Sequence, residues 1–163
     1  MQISAEHYFH AALERIRQAN LIYRAGDSYA LAMYTSGLAV ESMLRAFRWK
    51  KDQSFEGRHD LLRLFRESGL LQLNEEHLQS KGLSPATILD QVARFQGIMN
   101  HIVLLWTNDL RYAPDALARS RVVKMRLYEQ RKGNILKGAS LRLQNAAQEI
   151  ITRGAFLWTW SKK

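Results

Sequence analysis

The 163-residue sequence contains no cysteine, and this absence removes several classes of function. Without thiols the chain can form no disulfide, use no thiolate nucleophile and hold no cysteine-ligated zinc or iron–sulfur cluster. A chain of this length buries enough surface to fold without such cross-links. The composition therefore predicts a cytoplasmic protein rather than a small secreted one.

Proline and long hydrophobic runs are also scarce. Only two prolines occur, and no alternating run of apolar and polar residues is long enough to predict a strand. The uncharged stretch 28–40 is well short of the ~20 apolar residues that a membrane-spanning helix needs. The N-terminus lacks the basic start and the apolar run of a signal peptide. We therefore expect neither membrane insertion nor export.

Acidic residues are few beside basic ones, with 15 Asp and Glu against 24 Lys and Arg, and the formal net charge of +9 favours polyanionic partners. Most of this charge lies in residues 111–142, here called the basic segment, which contains nine basic residues and two acidic ones. Its cations can neutralise RNA phosphates, and its tyrosines can stack on unpaired bases. We predict nucleic-acid contacts for Arg119, Arg121, Lys124, Arg126 and Tyr128. The alternative is a solvated surface without a ligand.

What the sequence has throughout is the helical period, because apolar residues recur at spacings of three, four and seven. This pattern predicts an all-α fold, an up-and-down bundle of five to six helices that forms one domain over residues 1–163. The basic segment carries a weaker apolar pattern, which indicates a short helix or an ordered loop. Helices are predicted over about 5–24, 28–49, 61–69, 84–112 and 134–153, with one or two further turns at 74–79.

The predicted helix over 84–112 carries a polar face opposite its apolar stripe. Seven residues turn almost two full revolutions, so side chains at steps of three, four and seven share one face. Gly97 costs about 1 kcal/mol relative to alanine in a helix interior, and its position on this face predicts close approach by a ligand or a second backbone. The alternative is an ordinary solvated face. The members of the face are Asp90, Arg94, Gly97, His101, Asn108 and Arg111.

Four segments, in order and spacing, resemble a HEPN (higher eukaryotes and prokaryotes nucleotide-binding) domain. They are YALA at 29–32, LAVESMLRA at 38–46, HDLLRL at 59–64 and LRYAP at 110–114. The resemblance implies a helical bundle that often forms a homodimer and that acts on RNA or nucleotides. It leaves two functions open. One is a metal-independent endoribonuclease of toxin or defence type, and the other is a non-catalytic module that partners a small nucleotidyltransferase or another protein.

The RNase members of that family carry an arginine followed by a histidine after four to six intervening residues, and Arg94 and His101 match with six. An imidazole can exchange a proton with a ribose 2′-hydroxyl, and a guanidinium can hold the phosphate in a fork. The resemblance therefore implies that Arg94 and His101 are catalytic, with Asn100 and Arg111 as helpers and no metal or other cofactor. The pair is about 10.5 Å apart along a helix axis at 1.5 Å per residue. A dimer that pools two pairs would relax that limit.

Other polar residues are expected to stabilise the fold. Glu41 should pair with Arg45 or another base rather than with a substrate. Asp60 should cap a helix rather than bind a metal with His59, because no further ligand pattern accompanies them.

Overall fold

The computed structural model describes residues 3–54, 59–127 and 133–161. All regular structure in these ranges is helical, which confirms the predicted all-α bundle, although it has seven α-helices instead of five or six. The additional helices arise because residues 70–80 form a complete helix and the basic segment contributes another. The elements are α1 Ala5–Ala25, α2 Tyr29–Lys51, α3 Leu61–Ser68, α4 Leu70–Ser80, α5 Pro85–Leu105, a 3-10 turn Asn108–Tyr112, α6 Asp115–Lys124 and α7 Ile135–Trp160.

Local capping fixes most helix starts. Short polar side chains accept the backbone N–H three residues ahead, which satisfies a donor that the first turn leaves unpaired. Ser28 accepts from Leu31 N at 3.1 Å, and Ser84 accepts from Thr87 N at 3.2 Å with Pro85 at the first helical position. Gly26, in the left-handed conformation at φ +76°, ends α1.

Helix α2 lies in the centre of the bundle and packs against α1, α3 and α7. Its side chains are buried almost all round from Ala30 to Phe47. Its buried hydroxyls donate to carbonyls one turn back, as Ser36 does to Ala32 O at 2.8 Å, so these hydroxyls are satisfied within the helix itself. Apolar residues on two sides of this helix predict that it lies in the middle of the bundle, and the structure confirms this position.

Helix α5 ends at Leu105, and the predicted continuation to residue 112 was wrong. Trp106 adopts an extended backbone, and its indole Nε1 donates to Tyr34 O at 3.0 Å. Arg121 covers the free end of α5 by donating to Leu104 O at 3.1 Å and Leu105 O at 2.8 Å. Leu110 is buried in the following 3-10 turn, so the apolar period continues although the α-helix does not.

Two further contacts close the bundle. The Asp115 carboxylate at the start of α6 accepts from Tyr29 N at 3.0 Å and Ala30 N at 2.9 Å, so an acid of the basic segment caps α2. Near the end of α7, Trp158 is buried and stacks on Phe9 with ring centroids 4.8 Å apart.

In the described ranges no helix is both long and apolar enough to cross a membrane.

Two glycines within helices should respond in opposite ways to the same substitution. A Cβ on Gly37 would lie 2.0 Å from Trp106 Cδ1, whereas a Cβ on Gly97 would meet no atom within 4 Å. We expect Gly37→Ala to lower the free energy of unfolding by about 1–3 kcal/mol through overpacking. Gly97→Ala should raise it by up to about 1 kcal/mol through helix propensity. Urea unfolding followed by circular dichroism measures both, and equal stabilities would contradict the Trp106 contact.

Candidate functional site

Two members of the polar face of α5, Arg94 and His101, lie along the groove between α5 and α7, which run in opposite directions. Arg94 pairs with Glu149. His101, seven residues further along α5, is near enough to Arg142, seven residues earlier on α7, for the Arg142 charge to lower its pKa. These four residues define the α5/α7 seam. Since Asn108 and Arg111 lie beyond the end of α5, the polar face is shorter than the sequence predicted.

Arg94 is oriented by an exposed ion pair. Its Nη2 donates to Glu149 Oε1 at 3.0 Å, and the two side chains are 65% and 46% exposed. Exposed pairs of this kind contribute only about 0.2–1 kcal/mol. Phe95 points the other way into the core, edge-on to Phe65. The Arg94 guanidinium is therefore available to an anionic ligand at small cost.

His101 is half-buried on the same seam. Burial lowers its pKa below the ordinary value for histidine, and the positive charge of Arg142 lowers it further. The neutral imidazole is therefore the dominant form at neutral pH, and it can accept a proton. Arg142 itself donates to Leu127 O. Sequence reasoning did not connect Arg142 with His101, because 41 residues separate them in the chain.

The predicted helpers do not join the seam. Asn100 lies on another side of α5, in a groove with Lys51, Arg66 and Gln96. Arg111 lies in the 3-10 turn, with its guanidinium carbon 4.4 Å from the centre of the Tyr112 ring. The structure thus separates the four predicted catalytic and helper residues into the seam and two other locations.

The basic segment presents an exposed cationic surface around α6. Arg119, Lys124 and Arg126 are exposed there. Arg121 differs because its guanidinium is held by the last carbonyls of α5 and burial lowers its pKa. Tyr128 lies outside the described residues.

A groove of about 220 Å³ continues the seam beyond Arg94, towards α4. Arg153 lines it from α7, with its Nε bonded to Asn74 and its Nη2 3.0 Å from His77 Nδ1. Asn74 and His77 are buried, and burial together with the Arg153 charge lowers the His77 pKa. None of these three residues was predicted for a site, since the sequence gives no signal that brings residues 74–77 to residue 153.

The remaining charged cluster stabilises the fold. Glu41 is only 2% exposed and accepts from Arg45 Nε at 2.7 Å, with His59 Nδ1 at 2.9 Å from its other oxygen. Asp60 caps α3 by accepting from Arg63 N at 2.9 Å. The predicted pairing of Glu41 with Arg45 and the predicted cap by Asp60 are confirmed. Over the described ranges, no three His, Asp or Glu side chains are grouped so as to hold a metal ion.

Comparison with known families agrees with this fold. The family model of the HEPN domain matches residues 5–96, more than half of the chain, and the protein therefore belongs to the HEPN domain family. The match takes in α1 to α4 and the first half of α5, which includes Arg94, and it ends before His101. No curated protein and no solved structure shows significant similarity to the chain.

The surroundings of His101 predict its titration. Its pKa should lie below the usual value near 6.5 because of burial and the Arg142 charge. Arg142→Gln should raise it partway back, because only the smaller of the two causes is removed. Resonances of the imidazole followed by NMR against pH measure both, with His101→Gln to assign the signal. A His101 pKa above 6.5, or one unmoved by Arg142→Gln, would contradict this arrangement.

Proposed function

We propose that this HEPN-domain protein is a metal-independent endoribonuclease of toxin or defence type that acts on RNA in the cytoplasm. The observation that supports this best is a half-buried histidine with a lowered pKa beside an arginine, on an exposed seam that also holds Arg94. A neutral imidazole can act as general base near physiological pH. The neighbouring guanidiniums can stabilise a phosphorane that gains negative charge.

The proposed reaction uses the RNA's own nucleophile. His101 takes the proton of a ribose 2′-hydroxyl, and the 2′-oxygen attacks the adjacent phosphorus. The bond from phosphorus to the 5′-oxygen breaks, and a protonated imidazole returns a proton to that leaving oxygen. The products are a 2′,3′-cyclic phosphate and a 5′-hydroxyl. Arg142 is best placed to hold the reacting phosphate, and Arg94 is best placed to hold a neighbouring part of the RNA strand.

A homodimer is part of the proposal, since one seam holds a single histidine. Exposed residues recur along the outer face of α5 at alternating steps of four and three. No atom lies within 4 Å of the position that a Cβ on Gly97 would take, so the backbone of a second copy could approach closely there. Such a dimer would bring a second His101 and Arg94 near the first pair. The exposed positions are Ala86, Asp90, Ala93, Gly97, Asn100 and Leu104.

The second candidate function is a non-catalytic module that partners a small nucleotidyltransferase or another protein. The ion pair of Arg94 with Glu149 favours it, because the guanidinium then has a carboxylate partner within the chain. The same pair would stabilise a protein-binding surface without any need for chemistry. The two candidates differ in whether purified protein cuts RNA.

The nuclease is tested with single-stranded RNA and the matching DNA in EDTA. Wild-type protein should cut only the RNA and leave 2′,3′-cyclic phosphate ends, because the 2′-hydroxyl is the nucleophile. His101→Ala should reduce the rate by about 10²–10⁴-fold. Arg94→Lys should also reduce it, since an ammonium cannot form the bidentate fork. The exposed His10 provides the control variant His10→Ala, which should cut normally. No cutting by wild type, or equal cutting by all variants, would favour the binding module.

RNA binding by the basic segment is tested by charge reversal that spares Arg121, since that residue caps α5. The triple variant Arg119→Glu, Lys124→Glu and Arg126→Glu should bind RNA more weakly. The slope of log affinity against log salt should fall by about 0.7 for each RNA phosphate that the variant no longer neutralises. A matched triple reversal at the exposed residues Arg17, Arg24 and Arg66 controls for net charge. Equal affinity and slope in the two variants would show that the segment is only a solvated surface.

A further inference from the structure

Arg153 is a half-buried cation whose hydrogen-bond partners are both neutral. Its Nε and Nη2 are engaged by the Asn74 amide and by His77 Nδ1. Because the His77 Nδ1 accepts this bond, the ring is neutral, as its lowered pKa also indicates. Among the described residues no carboxylate lies within ion-pair distance of Arg153. A partly desolvated charge without a counter-ion is costly, so this position favours an anion from outside.

The groove in front of Arg153 is suited to a phosphate. Arg94 lines it from α5, and the amides of Asn74 and Gln91 provide further hydrogen-bonding groups. Among the described residues that line the groove, the one carboxylate is Glu149, which is bonded to Arg94. A ligand phosphate could take the position of that carboxylate, because both present oxygens that match a guanidinium fork.

We propose that Arg153 and Arg94 form a phosphoryl-binding subsite, and that the Glu149 carboxylate pairs with Arg94 when no ligand is bound. The subsite deepens the proposed function, and it rests on that function for its natural ligand, a phosphodiester of single-stranded RNA. Its affinity for a phosphate group does not require that RNA be cut.

The geometry of α7 places this subsite in line with His101. Residues 142, 149 and 153 lie on one side of the helix, since eleven residues make just over three full turns. Arg142 and Arg153 are about 16.5 Å apart along the axis at 1.5 Å per residue. An RNA strand that follows the seam would therefore place one phosphate at Arg142 and His101 and a later one at Arg94 and Arg153.

The decisive variant is Glu149→Gln, which leaves every contact of Arg153 unchanged. Releasing Arg94 from an exposed ion pair should tighten binding about two- to fivefold. Glu14→Gln on α1 is the matched control, because it removes an equal charge from an exposed glutamate, and it should change affinity less. Arg153→Gln should weaken binding about tenfold or more, with the exposed Arg17→Gln as its control. Because Arg153 contacts buried groups, thermal unfolding of each variant is measured alongside.

Binding is measured by fluorescence anisotropy with a labelled uridine oligomer in the His101→Ala background, so that the probe is not consumed. AMP and inorganic pyrophosphate are the competitors that distinguish an RNA phosphodiester from a free phosphate. Tighter RNA binding by Glu149→Gln together with weaker binding by Arg153→Gln supports the RNA subsite. If the variants shift only AMP or pyrophosphate binding, the subsite takes free phosphates and its link to RNA is wrong.

If Glu149→Gln behaves as Glu14→Gln with every probe, the proposal is overturned, whatever Arg153→Gln does. Weaker binding by Arg153→Gln alone is the result expected if that residue only ties α7 to α4. The nuclease assay gives an independent answer. A chain that cuts no RNA but shows the opposite shifts of the two variants retains the subsite and loses only the proposed chemistry.

Discussion

The arrangement of this domain depends on the contact between Trp106 and Gly37. The indole lies so close to α2 that a single methyl group on Gly37 would overlap it, and its Nε1 is bonded to Tyr34 O. The backbone must leave the α-helix at Trp106 to place the ring there. This break ends α5 directly after Leu105 and sends the chain into the 3-10 turn and α6. The length of the polar face and the position of the basic segment both follow from it.

The basic segment is consequently a mixture of structural and free charges. Arg121 covers the carbonyl end of α5, and Asp115 caps the amide end of α2. One cation and one anion are thereby used for folding, and their removal would expose unpaired helix ends. Arg119, Lys124 and Arg126 remain exposed around α6, where a ligand can reach their charge. Charge density in a sequence therefore overstates the number of cations available for binding.

The seam between α5 and α7 brings together the side chains on which the proposed function depends. Burial and the Arg142 charge lower the pKa of His101, while Arg94 and Arg153 line a groove nearby. Membership of the HEPN family gives the fold and a broad link to RNA or nucleotides. The proposed chemistry depends on distances across the seam, where Arg94 pairs with Glu149 and His101 lies within range of the Arg142 charge. Arg94 and His101 lie at opposite ends of the seam, and a second protomer or a bound RNA strand would be needed to connect these ends.

The sequence by itself determined the helical class, the central position of α2, the pairing of Glu41 with Arg45 and the cap by Asp60, because these follow from periodicity and from contacts between near neighbours. It also placed Arg94 and His101 on one face, since seven residues of any α-helix do so. It could not show where α5 ends, because Leu110 keeps the apolar period in a 3-10 turn. Only the tertiary structure decided that Arg142 lies beside His101, that Glu149 engages Arg94 and that Asn74 and His77 hold Arg153. These pairs join residues 41 to 79 positions apart, and the packing of helices that brings them together leaves no local pattern in the chain.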